Sequence, residues 1–239
     1  KVLNTFTHLF VQDEASVQFL RTIGITNTTV VGDTRFDRVL EICRQAKELP
    51  LVEKFKGNHT AFVAGSSWGP DEDIFIPYLN AHPEVKLIIA PHVIDESHLK
   101  EIISKLNRTV VRYTQATEEK VKEADCLLID CFGLLSSIYR YGEIAYIGGG
   151  FGVGIHNVLE AAVYGMPVIF GPNNKRFREA QGLLQCKGGF EIQGAEDFKK
   201  IMDNFLNNYE ALDKAGKKAG NYVRDNAGAL EKIMHTVTL

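Results

Sequence analysis

The chain has 239 residues, of which 45% are hydrophobic, and its formal net charge at pH 7 is −3. A chain of this length buries a substantial core and fits one large domain or one and a half. Because there is no basic excess, nucleic acid is not an expected partner. No apolar stretch approaches the roughly 20 residues of a membrane span, and no signal-peptide pattern opens the chain.

The cysteines and the common metal motifs bear on compartment and cofactors. Cys43, Cys126, Cys131 and Cys186 are scattered, without C-x-x-C spacing, which favours reduced thiols of a cytoplasmic protein over disulfides or a metal site. No H-E-x-x-H, P-loop or EF-hand pattern is present, so we expect neither a metal nor a cofactor. The chain opens at Lys1, inside an apparent structural element, and we expect a piece of a longer protein.

Hydrophobic patterns alternate along the chain between strand and helix spacing. The charged segment 48–60 contains Pro50 and Gly57 and is the best candidate for a linker or domain edge. Beyond it the regular alternation predicts an α/β fold, a mainly parallel sheet with helices on both faces. Strands are predicted at 8–12, 28–31, 60–64, 86–90, 109–113, 126–129, 144–147, 168–170 and near 190. Helices are predicted at 14–23, 35–47, 71–81, 94–106, 118–124, 134–141, 155–164, 176–186 and from 195 onward.

The stretch 143–172 gives the clearest indication of a site. Its first strand is followed by five glycines within seven residues and then by a helical pattern that stops at Gly165. Strand, glycine loop, helix and strand form a βαβ unit whose loop offers N–H groups and a positive helix end to an anion. We therefore predict a phosphate site here. The glycines are Gly148, Gly149, Gly150, Gly152 and Gly154.

Ligands of open α/β sheets bind beyond the carboxyl ends of the strands. By this rule one candidate site is formed by four loops that follow strands, namely 65–68, 91–92, 131–134 and 148–157. On the predicted helix, Asn157 and Glu160 lie three residues apart on one face. Glu160 there would accept hydrogen bonds from both hydroxyls of a ribose. The structural alternative is a capping residue and an acid of the first turn.

Other residues of these loops also have two interpretations. Pro91 fixes the backbone beside His92 and would aim it at a ligand, although a lone histidine is as often a surface residue. His156 lies in the predicted first helical turn, where packing or capping is equally compatible. The turn 66–68, Ser-Ser-Trp, would hydrogen-bond and stack on a ligand, or simply pass a buried tryptophan. The glycine run is not a G-x-G-x-x-G that opens a Rossmann unit, which disfavours NAD.

Arg35 stands in the segment GDTRFDRV, between the first two strands and the main α/β series. Most such arginines pair with a neighbouring carboxylate, and Asp33 and Asp37 are close in sequence. A guanidinium facing a cleft would instead stabilise a developing phosphate charge.

Several segments taken together resemble the family of 3-deoxy-D-manno-octulosonic acid (Kdo) transferases. They occur in the right order over nearly the whole chain, and their combination is specific, whereas each alone is weak. The resemblance covers about the C-terminal half of such an enzyme. The segments are FVQDEASVQFLRTIGI, VVGDTRFDRV, AGSSWGPDE, APH, YIGGGF, GIHNVLEAAVYGMPVIFGPN and KRFREA.

The resemblance implies a GT-B fold, in which two Rossmann-like domains face each other and the C-terminal one binds the nucleotide-sugar. Residues 51–239 would be this CMP-Kdo-binding domain, and residues 1–50 the end of the N-terminal domain or an interdomain segment. The implied function is transfer of Kdo from CMP-Kdo to lipid IVA in lipopolysaccharide synthesis. The full-length enzyme would lie at the cytoplasmic face of the bacterial inner membrane, with this part soluble.

The resemblance also assigns roles to individual residues. Arg35 matches a basic residue that stabilises the transition state. Possible further donor contacts are Ser66, Ser67, Gly150 and His156. The residues that match the segments in contact with CMP are Pro91, His92, Phe132, Gly133, Leu134, Asn157, Val158, Leu159 and Glu160.

Two departures from the family pattern limit this assignment. The family turn Gly-Glu-Leu is Gly133-Leu134-Leu135 here, so a contact from that glutamate is absent. The family's proton acceptor, a glutamate of the N-terminal domain, has no counterpart, and neither do the membrane anchor and the lipid groove. The implied reaction is an inverting displacement with an oxocarbenium-like transition state, in which CMP leaves. We therefore expect this chain to bind CMP but not to transfer Kdo.

Two alternatives stay open at this point. One is another GT-B enzyme or a 2-epimerase that uses a UDP-sugar, because a glycine loop and a ribose-binding glutamate recur in such folds. The other, from a different class, is a non-catalytic nucleotide-binding module.

Overall fold

A computed structural model describes residues 2–237. Most predicted elements are confirmed, with ends that shift by a few residues. The strands are β1 (Leu9–Val11), β2 (Thr28–Val30), β3 (Ala61–Ser67), β4 (Lys86–Pro91), β5 (Val110–Arg112), β6 (Cys126–Leu128), β7 (Ile144–Ile147), β8 (Val168–Phe170) and β9 (Gly189–Glu191). The helices are α1 (Glu14–Thr22), α2 (Thr34–Arg44), α3 (Pro50–Lys56), α4 (Gly69–Asn80), α5 (Glu96–Lys105), α6 (Glu118–Glu123), α7 (Leu135–Ile138), α8 (Leu159–Ala162), α9 (Arg178–Cys186), α10 (Ala195–Asn207), α11 (Tyr209–Asp225) and α12 (Ala229–Thr236).

Seven strands form one parallel sheet in the order β5-β6-β4-β3-β7-β8-β9. Successive residues of a strand point to opposite faces. Phe62 and Val63 of β3 accordingly belong to two separate core clusters, and both are fully buried. The clusters are completed by helices on the two faces. The α/β prediction is confirmed, and the near-continuous apolar sequence of β3 and β4 reflects burial on both sides.

The chain order reverses at β3. From there one crossover leads to β4, and β7 pairs with the opposite edge of β3 and continues to β8 and β9. The crevice beyond the carboxyl ends at such a reversal is where parallel α/β sheets bind ligands. The fold therefore places the loops after β3, β4, β6 and β7 around one crevice.

The first two strands form a separate two-stranded parallel sheet, connected by α1. The following helix, α2, is tied to the C-terminal part of the chain. Its Asp37 carboxylate accepts N–H bonds from Gly228 and Ala229 at the start of α12, with N–O distances of 2.8 and 3.1 Å. Asp37 thus compensates the unpaired N–H groups of that helix end.

Two segments differ from the sequence-based expectation. The segment 48–60 contains α3, whose Val52 and Phe55 are fully buried in the core because its one apolar face packs on the sheet domain. The helix expected at 155–164 is only the four-residue α8, followed by a turn to Gly165. Its apolar residues are buried as the periodicity predicted, but the preceding residues are held in a loop by tertiary contacts.

Candidate functional site

A cavity of 210 Å³ lies beyond the carboxyl ends of β3, β4 and β6. The predicted convergence of the strand-end loops is confirmed for three of the four loops, which line this cavity. The lining is mainly apolar, as suits the face of a planar ring. It consists of Ser66, Ala90, Pro91, His92, Ile94, Ile129, Cys131, Phe132, Gly133 and Leu135.

Ser66 is held in the left-handed backbone region, with φ +53°, at a bulge between β3 and β4. This conformation costs a non-glycine residue about 1–2 kcal/mol, which the surrounding structure must offset. The Ser66 backbone packs closely against Gly148 of the neighbouring loop. A Cβ on Gly148 would lie 2.2 Å from the Ser66 carbonyl oxygen, so the two loops are in backbone contact.

Three aromatic rings join the β3, β4 and β7 loops. The rings of Trp68 and His92 stack with centroids 4.5 Å apart, and those of His92 and His156 stack at 4.4 Å. Trp68 Nε1 also donates to His156 Nε2 at 3.2 Å. Burial and the nearby His92 lower the pKa of His156, against the opposing charge of Asp71, so a neutral His156 ring accepts the indole hydrogen.

His156 precedes α8 by three residues, so the prediction that it lies in the first helical turn is wrong. The Trp68 ring, which was expected to stack on a ligand, stacks on His92 of the protein itself. The exposed His92 ring thus packs against both Trp68 and His156. Their position beside the cavity fits a role in shaping the site.

The glycine loop satisfies many of its own N–H groups. Gly148 donates to Gly65, Gly152 and Gly154 both donate to Gly149, and His156 donates to Gly148. The loop therefore offers an external anion fewer N–H groups than the sequence suggested. In addition, the short α8 gives little helix dipole, because a macrodipole accumulates over several aligned turns.

Asp71 of α4 is the anion that the glycine loop binds. Its buried carboxylate accepts the N–H groups of Gly149 and Trp68, each at 2.9 Å, and the hydroxyl of Tyr146 at 2.8 Å. Burial raises the pKa of Asp71, and these three hydrogen bonds oppose that shift. Asp71 clamps the loop to α4, a role that the sequence showed only as an acidic first turn.

Gly150 is also a packing residue. It is buried, and a Cβ there would lie 2.5 Å from the Gly171 backbone nitrogen in the loop after β8. This contact gives a structural reason for glycine at position 150, and a contact of Gly150 with the donor stays a prediction. Two backbones approach each other here more closely than any side chain permits.

Asn157 and Glu160 are brought together as predicted. Asn157 Nδ2 donates to Glu160 Oε1 at 3.0 Å, and Asn157 Oδ1 accepts the Leu159 N–H at 3.1 Å. Burial raises the pKa of Glu160, against the Asn157 bond and the charge of Arg38. Asn157 thus caps α8, as the structural interpretation predicted, and also orients the Glu160 carboxylate.

Several other candidate residues contribute differently from expectation. The side chains of Val158 and Leu159 are fully buried in the core, so only their backbone can face a ligand. Ser67 is also fully buried and donates to Glu72, which corrects its assignment as a donor contact. Phe132 is 81% exposed at the cavity mouth, beside Gly133 with φ +84°. Leu134 is half-buried at the start of α7.

Arg35 forms the ion pairs that its neighbours suggested, but with a different second partner. Its guanidinium binds Asp33 and, at 2.8 Å, the buried Glu179 of α9. Burial of Asp33 is outweighed by its bonds from Arg35, which lower the Asp33 pKa. Of the five guanidinium N–H groups, one on Nη1 remains. Asp33 and Glu179 also line a separate cavity of 420 Å³.

Among residues 2–237, no group of three or more His, Cys, Asp or Glu side chains is arranged to hold a metal ion. Within the same range, no helix combines the length and the apolar character that crossing a bilayer requires.

Curated proteins with similar sequences align with nearly the whole chain. No family model matches. The 3-deoxy-D-manno-octulosonic acid transferase of Rickettsia bellii is 26% identical over 245 residues, which are 99% of this chain and 58% of that protein. The chain thus spans little more than half the length of the curated relatives that it matches.

Solved structures support the fold. The C-terminal CMP-Kdo binding domain of WaaA from Acinetobacter baumannii superposes with a TM-score of 0.63 at 20% identity, over 79% of this chain and 97% of that domain. HepE of Anabaena in complex with UDP gives 0.60 at 12% identity, over 96% of this chain and 63% of that protein. At these identities the likeness shows the Rossmann-like GT-B fold alone. The predicted resemblance is confirmed: this chain is similar in sequence to 3-deoxy-D-manno-octulosonic acid transferases over nearly its whole length and aligns with about half of theirs.

Proposed function

We propose that this chain binds CMP-Kdo and acts as the nucleotide-sugar half of an inverting glycosyltransferase that transfers Kdo to lipid IVA. The observation that carries the proposal is the convergence of Ser66, Pro91, His92 and the 132–133 turn on one strand-end cavity. Glu160 lies on α8, which follows the β7 loop, and its carboxylate is oriented by Asn157. The membrane location of the full-length protein belongs to the same proposal.

Each part of CMP has a matching place in this arrangement. The cytosine ring occupies the apolar cavity against Pro91 and the 132–133 turn. Glu160, oriented by Asn157 through one carboxylate oxygen, accepts from the ribose hydroxyls. The phosphate lies between them, where Ser66 and the exposed His92 supply donors. Donors aimed at the departing phosphate stabilise the charge that develops on it as the bond to the sugar breaks.

Arg35 acts in this proposal through its one remaining N–H group. The two carboxylates that hold the guanidinium leave the group with a local negative surplus. Arg35 would therefore stabilise a developing negative charge through a hydrogen bond from this N–H group, and not through a net positive charge. The base for the acceptor hydroxyl is assigned to the part of the relatives that this chain does not match.

The test compares nucleotides by calorimetry. We expect Glu160→Ala to weaken CMP binding about 10- to 100-fold, because hydrogen bonds to a charged group contribute about 1.5–3 kcal/mol. The unmodified chain should prefer CMP to its 2′-deoxy analogue, and the variant should lose most of this preference. Glu210→Ala, at an exposed position of α11, is the control.

Three results would count against the proposal. Equal CMP affinity in Glu160→Ala and the control would remove the ribose assignment. Tighter binding of UDP than of CMP would favour a UDP-sugar enzyme. HepE, solved in complex with UDP, has a fold similar to that of this chain. Absence of nucleotide binding would reject the site as a whole.

A further inference from the structure

A buried line of polar groups runs behind the nucleotide site, where the proposed contacts do not reach. Ser67 at the end of β3 donates to Glu72 Oε1 of α4 at 2.9 Å. Glu72 Oε2 lies 2.9 Å from His98 Nε2 of α5, and His98 Nδ1 lies 3.0 Å from the Val93 carbonyl oxygen. Ser67 and Glu72 are fully buried, and His98 is 13% exposed.

This line ends on the segment that carries His92. The His92 N–H donates to the Ser67 carbonyl at 2.9 Å, and the next residue, Val93, accepts from His98. The backbone on both sides of His92 is therefore fixed by one connected network. The network thus joins β3, α4 and α5 to the backbone that carries the His92 ring, and this ring stacks on Trp68.

The hydrogen bonds determine where the proton lies. A carbonyl only accepts, so His98 Nδ1 carries hydrogen toward Val93. The contact between His98 Nε2 and Glu72 then needs one further proton, and the pair as a whole is neutral. Burial opposes charge on the His98 ring, but the bond and charge of Glu72 outweigh it and raise the pKa of His98. Burial raises the pKa of Glu72, against the bond from His98.

We propose that Glu72 and His98 are positioning residues of the nucleotide site and hold the His92 segment in its binding geometry through a shared proton. The inference rests on the proposed function for the role of His92 in nucleotide binding. The structural part, the placement of His92, is independent of that function.

The proposal predicts a distinctive pH dependence. The raised His98 pKa means that the network is complete below the unfolded value and is lost as pH rises through the folded value. Once the shared proton leaves, His98 cannot donate to both Val93 and Glu72. The substitution Glu72→Gln would avoid this loss, because the introduced amide donates to Nε2 while neutral His98 keeps its Nδ1 hydrogen on Val93. Glu101 and Lys105 are the other charged groups of α5 that act on the pair, and both variants keep them.

The experiment uses the whole chain with His98→Ala, Glu72→Gln and a matched control. The control is Glu84→Gln, which removes the carboxylate of the exposed His82–Glu84 pair on another part of the surface. The ring protons of His92 are followed by NMR without nucleotide, and CMP affinity is measured by calorimetry between pH 6 and about pH 9. Circular dichroism establishes that each variant is folded.

In His98→Ala we expect the His92 signals to move toward those of an unstacked ring and CMP affinity to fall about fivefold, the worth of one hydrogen bond. In Glu72→Gln we expect affinity near that of the unmodified chain at pH 6, without its decline at alkaline pH. Unchanged His92 signals in folded His98→Ala, or parallel pH profiles for Glu72→Gln and Glu84→Gln, would overturn the proposal. If the unmodified chain does not bind CMP, the proposed function fails, and the His92 signals still decide the positioning.

Discussion

Ser66 combines an unfavourable backbone conformation with a place in the strand-end cavity where we propose that the nucleotide binds. Backbone strain of this kind persists where neighbouring structure imposes it, and it is concentrated at ligand sites. We expect Ser66→Gly to be more stable than Ser66→Ala by about 1 kcal/mol, because glycine accepts positive φ and alanine does not. Urea denaturation of the two variants measures this difference.

Both Ser66 variants lose the hydroxyl, so they form a matched pair for binding. CMP affinity should fall in both, and further in Ser66→Gly, whose turn is no longer held in one conformation. A glycine variant that is less stable than the alanine variant would mean that the backbone at Ser66 stores no strain.

At the scale of elements, the glycine loop is defined by its contacts with two neighbouring segments. Gly150→Ala would place a Cβ 2.5 Å from the Gly171 nitrogen, whereas the nearest atom to a Cβ on Gly152 is 4.0 Å away. We expect Gly150→Ala to destabilise the chain by about 1–3 kcal/mol, as overpacking does. Gly152→Ala in the same loop should stay within about 0.5 kcal/mol. Thermal unfolding checks both values, and equal effects would contradict the packing role of Gly150.

The sequence predicted the strands well because a strand buried on both faces needs an apolar run, as in β3 and β4. It also predicted that the strand-end loops converge, since parallel strands end at one edge. It did not predict that the helix after the glycine loop would shrink to α8. His156, which precedes α8, stacks on His92, a residue far earlier in the chain, and periodicity records only local spacing.

The missed site residues have the same explanation. Asp71 and Glu72 resemble ordinary acids of a helix start, and only the folded chain brings Gly149 and His98 to them. Both acids are buried, and within residues 2–237 neither forms a direct ion pair with Lys or Arg. This feature marks them, and the burial of an acid is not encoded in its sequence neighbours. Arg35 is an intermediate case, because Asp33 was foreseeable from spacing and Glu179, 144 positions away, was not.

At the scale of the whole molecule, the proposed function divides binding and transfer between this chain and the part of its relatives that it does not match. In that proposal the residues of this chain contact the nucleotide, which is the leaving group, and not the acceptor. We expect the 239-residue chain to bind CMP while showing no transfer of Kdo from CMP-Kdo to lipid IVA. Mass spectrometry of the acceptor after prolonged incubation measures transfer, and calorimetry on the same preparation measures binding.

The two measurements are informative only in combination. Without a general base, a reaction of this type loses about 10²- to 10⁴-fold in rate, and without the acceptor surface it loses the proximity contribution as well. A folded chain that binds CMP and also glycosylates lipid IVA would place a base within these 239 residues. Glu160 is a half-buried acid of α8, and Glu179 is a buried acid paired with Arg35. Substitution of each would then identify which one removes the proton.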